Sequence, residues 1–432
     1  MKSKINKSIL YSLVLCMGMM AFFTSCEENY TGKYKMTDGV PTIYFIRYQN
    51  IDQEGQLLES AYMGDNILII GDNLTSIKEI SFNNVKAVLN INLITKNTLF
   101  VTIPRELPSD RTDKIYFVTK NSETVTYDFE VKIPGPIIDR MKCEWVPEGG
   151  DVVVYGDYFL ATDPSRMKVF VEDYEIPTSD IVSYEKTKLV FKAPPLDIRG
   201  PLEVKTLYGT SGRSKDIFRD ERGMITTFDD DYPMVAGWGR PDAGTIREDP
   251  EYSLVGKYWR LATTITEGEA DDTWAQKDAL AFHYWGEDNG KPTGNLFPSD
   301  PKTSTLKFEV NVLQDWSAIG LLFFFHAQET TNGPMWDNGY PVGIWMPWFG
   351  GWEDKEKRDA IVIPYTTDGW VTVSMPLSEF NKDNQGDQGG SSMLTQDFPP
   401  AFGAFTIVLM RGGAKGVACS PVILFDNFRV VP

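Results

Sequence analysis

A short pattern occurs twice in this chain. Gly64-Asp65-Asn66-Ile67-Leu68-Ile69-Ile70-Gly71-Asp72-Asn73-Leu74 returns in style as Gly150-Asp151-Val152-Val153-Val154-Tyr155-Gly156-Asp157-Tyr158-Phe159. Each copy is a β-branched run closed by Gly-Asp. Downstream, Thr98-Leu99-Phe100-Val101-Thr102-Ile103-Pro104 answers to Lys188-Leu189-Val190-Phe191-Lys192-Ala193-Pro194, with the short runs Ile80-Ser81-Phe82 and Val169-Phe170-Val171 between. Brief apolar runs punctuated by Gly, Asn, Asp and Pro describe the strands of a small antiparallel sandwich. The repetition predicts two such sandwiches in tandem. Pro134-Gly135-Pro136 between them forms a compact linker, because proline fixes its own φ and restricts the residue before it.

From Gly223 onward the composition changes. Of 11 tryptophans only Trp145 precedes that point. The segment still has strand character: Leu306-Lys307-Phe308-Glu309-Val310-Asn311-Val312 and Trp370-Val371-Thr372-Val373-Ser374-Met375 alternate at period 2. The apolar stretches 319–325, 402–410 and 422–425 are short and rich in β-formers, which suits buried strands. A larger β-sandwich of the jelly-roll kind is expected here, so the chain as a whole is all-β.

The first 25 residues form an export signal. Lys2, Lys4 and Lys7 precede a 15-residue apolar run, residues 9–23, which is shorter than the roughly 20 residues a spanning helix needs. It leads through Phe23-Thr24-Ser25 to Cys26, followed by Glu27 and Glu28.

Charge and composition exclude several functions. With 42 Lys+Arg against 60 Asp+Glu, the net charge is -18, and so acidic a chain repels nucleic-acid backbones. His283 and His326 are the only imidazoles, and cysteines stand far apart at 16, 26, 143 and 419, so no zinc-type cluster is expected. Cys143 and Cys419 fall in different predicted domains and read as unpaired, buried thiols. No barrel-like strand–helix alternation, G-x-S-x-G elbow or HExxH motif is present, and no carboxylate pair is marked out for glycoside hydrolysis. The expectation is a protein that is not an enzyme.

Several of these stretches resemble known families. The small-residue approach to Cys26 resembles the lipobox of bacterial lipoproteins, although Phe23 stands where Leu is usual, and the acidic pair after it is similar to a surface-export signal of Bacteroides-like bacteria. The repeated Gly-Asp strands resemble the immunoglobulin-like IPT/TIG domain. The last segment opens on Met224-Ile225-Thr226-Thr227-Phe228-Asp229-Asp230-Asp231 and closes on Phe425-Asp426-Asn427-Phe428-Arg429-Val430, with Gly369-Trp370-Val371-Thr372-Val373-Ser374-Met375-Pro376-Leu377 before. It resembles galactose-binding-like jelly rolls and the C-terminal domain of surface glycan-binding proteins. The resemblance implies a signal peptide at 1–25, an anchor linker at 26–39, IPT/TIG-like domains at 40–134 and 135–222, and a carbohydrate-binding β-sandwich at 223–432. It further implies an acylated (palmitate-bearing) Cys26 in the outer membrane, facing the exterior. The implied partners are a polysaccharide, of β-glucan or hemicellulose type, surface glycosidases and a TonB-dependent transporter.

The residues themselves give a reason for sugar binding. A pyranose ring has an apolar face that a flat indole can cover while polar neighbours take the hydroxyls. Residues 333–352 carry Trp336, Trp345, Trp348 and Trp352 among Gly, Pro, Asn and Asp, a composition of loops and edge strands that leaves side chains exposed. Trp345, flanked by Ile344 and Met346, leans toward the interior. Trp274 and Trp285, each beside a polar loop, complete the candidate platform. Trp316 and Trp370 sit within alternating strands and read as core, and Trp238 and Trp259 as strand anchors. Asp229 and Asp426, near the first and last strands, are weak candidates for a structural Ca²⁺. The competing reading is a surface adhesion or scaffold protein, because Trp, Tyr and Met also populate protein interfaces.

Overall fold

The computed structural model describes residues 35–50, 57–161, 164–229, 246–273, 276–283, 303–326, 342–380, 404–410 and 412–432. The expected export signal, residues 1–25, and Cys26 lie outside the described residues. The fold is all-β, and the chain divides into two compact units, Met1–Pro134 and Gly135–Pro432. Among the described residues one short α-helix interrupts the strands, Glu267–Asp271, started by a capping box between Thr266 and Glu269.

The first unit pairs Thr42–Tyr48, Asn66–Asp72 and Thr98–Thr102 in one sheet, and Val85–Lys86, Ile77–Phe82, Lys114–Thr119 and Thr124–Asp128 in another. Alternation in Lys114–Thr119 turns Ile115, Phe117 and Thr119 inward. Ile115 and Phe117 join Ile46, Ile67, Ile69, Leu99 and Phe82 in a continuous core.

The second unit begins with a sandwich of the same design. Ile137–Met141, Asp151–Asp157, Lys188–Lys192 and Ile181–Glu185 form one sheet, and Tyr174–Glu175, Lys168–Val171, Gly200–Thr206 and Gly209–Thr210 lie in the other. Its core holds Val152, Val154, Phe159, Val169, Phe191 and Val204. Arg219 closes the sandwich. Only 2% exposed, its guanidinium donates to the carbonyl oxygens of Val146, Pro194, Pro195 and Ile198, which satisfies a buried cation with backbone dipoles.

The repeated motif has one structural meaning in both sandwiches. Each first strand shifts register opposite the glycine, between Ile43 and Phe45 and between Ile138 and Arg140, as a β-bulge does. A Cβ on Gly71 would fall 2.1 Å from the Thr42 carbonyl oxygen, and one on Gly156 would fall 1.9 Å from that of Ile137. Only glycine allows that approach. The next aspartate accepts the N–H of the residue after it, Asp72 from Asn73 and Asp157 from Tyr158. Those two residues are left-handed, with φ of 56° and 59°, a conformation L-residues adopt only with local support.

The rest of the second unit is a larger sandwich. Ile246–Arg247, Tyr258–Ala262, Val422–Val431, Thr305–Gln314 and Val371–Pro376 make one sheet, with Met224–Thr226 added to Val422–Val431. Gln276–His283, Ala404–Met410, Leu321–His326 and Gly343–Trp345 make the other. Between them lie Phe308, Phe323, Phe405, Phe425 and Phe428, with Trp259 stacked on Phe425 at 5.1 Å.

The alternating strand Thr305–Gln314 would present Lys307, Glu309 and Asn311 to solvent if one face were wet, yet all three are buried. The smaller sandwich of this unit covers Lys307 and Glu309, while Asn311 accepts the Thr367 hydroxyl. Glu144, 1% exposed, accepts from Lys307 through one carboxylate oxygen and from Arg429 Nη2 through the other, at 2.7 Å. Arg429 also grips Glu309 with both terminal nitrogens, at 2.7 and 3.0 Å. Lys307 reaches Asp216 at 2.8 Å, and the Thr372 hydroxyl donates to Glu309 while accepting the Glu144 N–H. Burial would lower the affinity of Lys307 and Arg429 for their protons, but the facing carboxylates outweigh it and hold both above their ordinary values.

A candidate glycan platform on the larger sandwich

The strand Gly343–Trp345 leads through a turn into the hairpin Phe349–Asp354 and Asp359–Val362. Asp354 builds the hairpin's turn, accepting the N–H groups of Glu356 and Lys357 and pairing with the Lys357 ammonium at 3.0 Å. Pairing shifts register between Phe349 and Trp352: Phe349 faces Val362, while Trp352 faces Ala360. The extra residue places both aromatic rings on one face. Gly351, at φ 122°, supplies the backbone freedom for it.

The structure separates the tryptophans that the sequence groups together. Trp352 is 39% exposed, with its ring edge-on to Phe349 at 4.9 Å. Trp348 corrects the expectation of an open platform residue. It is fully buried, and its indole N–H donates to the Ile319 carbonyl oxygen at 3.0 Å, beside the buried Trp316 that bonds the Ala318 and Ile319 carbonyls. The Gly- and Pro-rich surroundings signal a loop correctly, but this loop folds one indole inward, where a backbone acceptor satisfies its nitrogen. Trp345 is half-buried, wedged edge-on against Phe308, Trp316 and Tyr365. Trp274, Trp285 and Trp336 lie outside the described residues.

Sequence reasoning missed two exposed aliphatic residues of the hairpin. Ile361 and Ile363 are 48% and 58% exposed, and a Cβ on Gly350 would come 2.8 Å from Ile363 Cδ1. The hairpin glycine thus makes room for an exposed isoleucine. Nothing in Ala360-Ile361-Val362-Ile363 as a sequence separates the exposed aliphatics from their less exposed neighbours. Because Ala360 and Val362 are the residues paired with Trp352 and Phe349, alternation turns Ile361 and Ile363 to the opposite face of the hairpin.

The remaining candidates behave differently. Trp370 is half-buried, donating to the Tyr252 carbonyl oxygen at 2.8 Å, and Trp259 is fully buried. Asp426 is fully buried, and burial pushes its carboxyl well above the ordinary range, with the Glu309 charge adding to the effect. Asp229 is committed to the Lys257 N–H. Among the described residues no group of three or more His, Cys, Asp or Glu side chains could hold a metal ion. Cys143 and Cys419 are free thiols, the first buried and the second half-buried.

The crystal structure of the surface glycan-binding protein PbSGBP-B from Prevotella bryantii is 30% identical to this chain, covers 91% of it and 99% of that protein, and superposes with a TM-score of 0.67. The chain belongs to the SGBP-B family. A family model described as the surface glycan-binding protein B xyloglucan binding domain matches residues 218–432, the larger sandwich. An IPT/TIG domain-containing protein of Bacteroides ovatus is 22% identical over 212 residues, which is 46% of this chain. The match spans 43% of that relative's own length. SGBP-B proteins are named for glycan binding at the cell surface, not for catalysis.

Proposed function

We propose that this protein captures a polysaccharide through its larger sandwich, with Trp352 at the centre of the contact and Phe349 beside it. The match of residues 218–432 to a xyloglucan-binding domain carries the reading, and it favours a xyloglucan-type β-glucan as ligand. An exposed indole suits the apolar face of a β-linked glucose ring. Trp274, Trp285 and Trp336 remain candidates for the same platform. Acylation of Cys26 would hold the protein on the outer membrane, where it would hand the captured glycan to surface glycosidases and a TonB-dependent transporter.

Affinity electrophoresis against xyloglucan, mixed-linkage glucan and unrelated glycans tests the assignment. Xyloglucan is expected to retard the protein, and Trp352→Ala to weaken binding about tenfold, or ~1.4 kcal/mol, with thermal unfolding unchanged. No retardation by any glycan would favour the scaffold alternative. Cys26→Ala is expected to move the protein from the membrane to the soluble fraction; continued membrane association would remove the anchor from this account.

A further inference from the structure

A groove of about 580 Å³ opens on the first unit, between the outward face of its three-stranded sheet and the segment 86–93. None of its lining residues is a tryptophan. Its volume is within the range of small-ligand sites. One wall is apolar: Phe100 is half-buried on the outward face of Thr98–Thr102, facing Leu93 and Val88, which are 46% and 90% exposed. Exposed aliphatics at the mouth of a concavity are accounted for most simply by a ligand that covers them.

The other wall carries oriented hydrogen-bonding groups. Asn66 accepts the Thr102 hydroxyl at 2.6 Å, and Asn90 accepts the Asn92 N–H at 3.1 Å, each through its side-chain oxygen. Both amides are thereby fixed with their NH₂ groups left to donate. Arg105 makes no hydrogen bond or ion pair among the described residues, yet it is seated. A Cβ on Gly64, whose φ is 86°, would fall 2.6 Å from Arg105 Nε, so the guanidinium rests on bare backbone.

Charge selects the occupant. Lys86 is paired with Glu79 at 2.6 Å, and Glu106 adjoins Arg105 in the lining, so the groove is near neutral. A polyanion finds little there. Strand addition by a peptide is opposed as well, because the free edge of Thr98–Thr102 is bridged at its start: Ile94 pairs with Leu99, and the Thr95 N–H donates to the Thr98 carbonyl oxygen. Fixed amides, a guanidinium and one aromatic face fit a neutral polyhydroxylated ring.

We propose that this groove is a second carbohydrate subsite, taking a short neutral oligosaccharide. It extends the glycan-binding reading to a second place in the chain, and it can fail independently of the first. Hydrogen–deuterium exchange of the full chain tests it, with millimolar cello-, xylogluco- and mixed-linkage gluco-oligosaccharides and an uncharged hexapeptide as probes. At least one sugar is expected to slow exchange severalfold in 86–94 and 100–106, and the hexapeptide to leave it unchanged. Arg105→Ala is expected to weaken that protection about tenfold, while Trp352→Ala leaves it intact. Protection confined to the larger sandwich would overturn the subsite and leave the proposed function standing. Protection of the groove alone would support the subsite and remove Trp352 from its role. No protection anywhere overturns both, and equal protection by the hexapeptide overturns the carbohydrate assignment.

Discussion

Glu144→Ala is expected to destabilise the second unit by about 3–5 kcal/mol, the cost of breaking a buried ion pair by removing one partner. The substitution leaves Arg429, fully buried, with only Glu309 as its carboxylate, and leaves Lys307 with the partly exposed Asp216. Chemical denaturation checks it, and both sandwiches of the unit should unfold together at a lower midpoint. Glu144→Gln keeps the shape and one acceptor and should fall between. A loss under 1 kcal/mol would mean that water reaches these groups. Lys307 is held above its ordinary value of 10.5, so its contribution is present below that pH and fades only as pH rises through the folded value.

Gly156→Ala is expected to cost about 3 kcal/mol or more, because the new methyl meets the Ile137 carbonyl oxygen at 1.9 Å and the Phe159 ring at 2.7 Å. Neither neighbour yields easily: the first is backbone in the bulge, and the second is a core side chain 1% exposed. Gly150→Ala is a useful comparison. Its nearest contact is a Val146 methyl at 2.8 Å, with the Pro147 carbonyl oxygen at 3.0 Å, so a smaller loss is expected. Equal losses for the two would detach the repeated motif from the bulge.

Much of the fold could be read in advance because it rests on local rules. The Gly-Asp repeat announced two sandwiches through a backbone need that only glycine meets, and period-2 alternation located Thr305–Gln314 and Val371–Pro376. What alternation could not convey is what lies against a polar face. Lys307 and Glu309 look like a wetted surface, yet a neighbouring sandwich covers them. The site shows the same limit. The density of glycine and proline around residues 333–352 pointed to an exposed stretch and found Trp352. It could not distinguish Trp348, whose nitrogen meets an acceptor supplied by Ile319, 29 residues earlier in the chain. Ile361 and Ile363 escaped notice because an exposed aliphatic and a buried one are spelled alike.

The shared network also limits how this protein can be divided, in the laboratory or in evolution. The larger sandwich, cut free at its sequence boundary, would bare Arg429, Glu309 and Lys307 without the carboxylate of Glu144, while its former neighbour would lose Leu254, which seals part of that core. Recombination that shuffles modules could therefore transfer the two as a cassette, whereas a transplant of the last one by itself would arrive with a misfit charged flank.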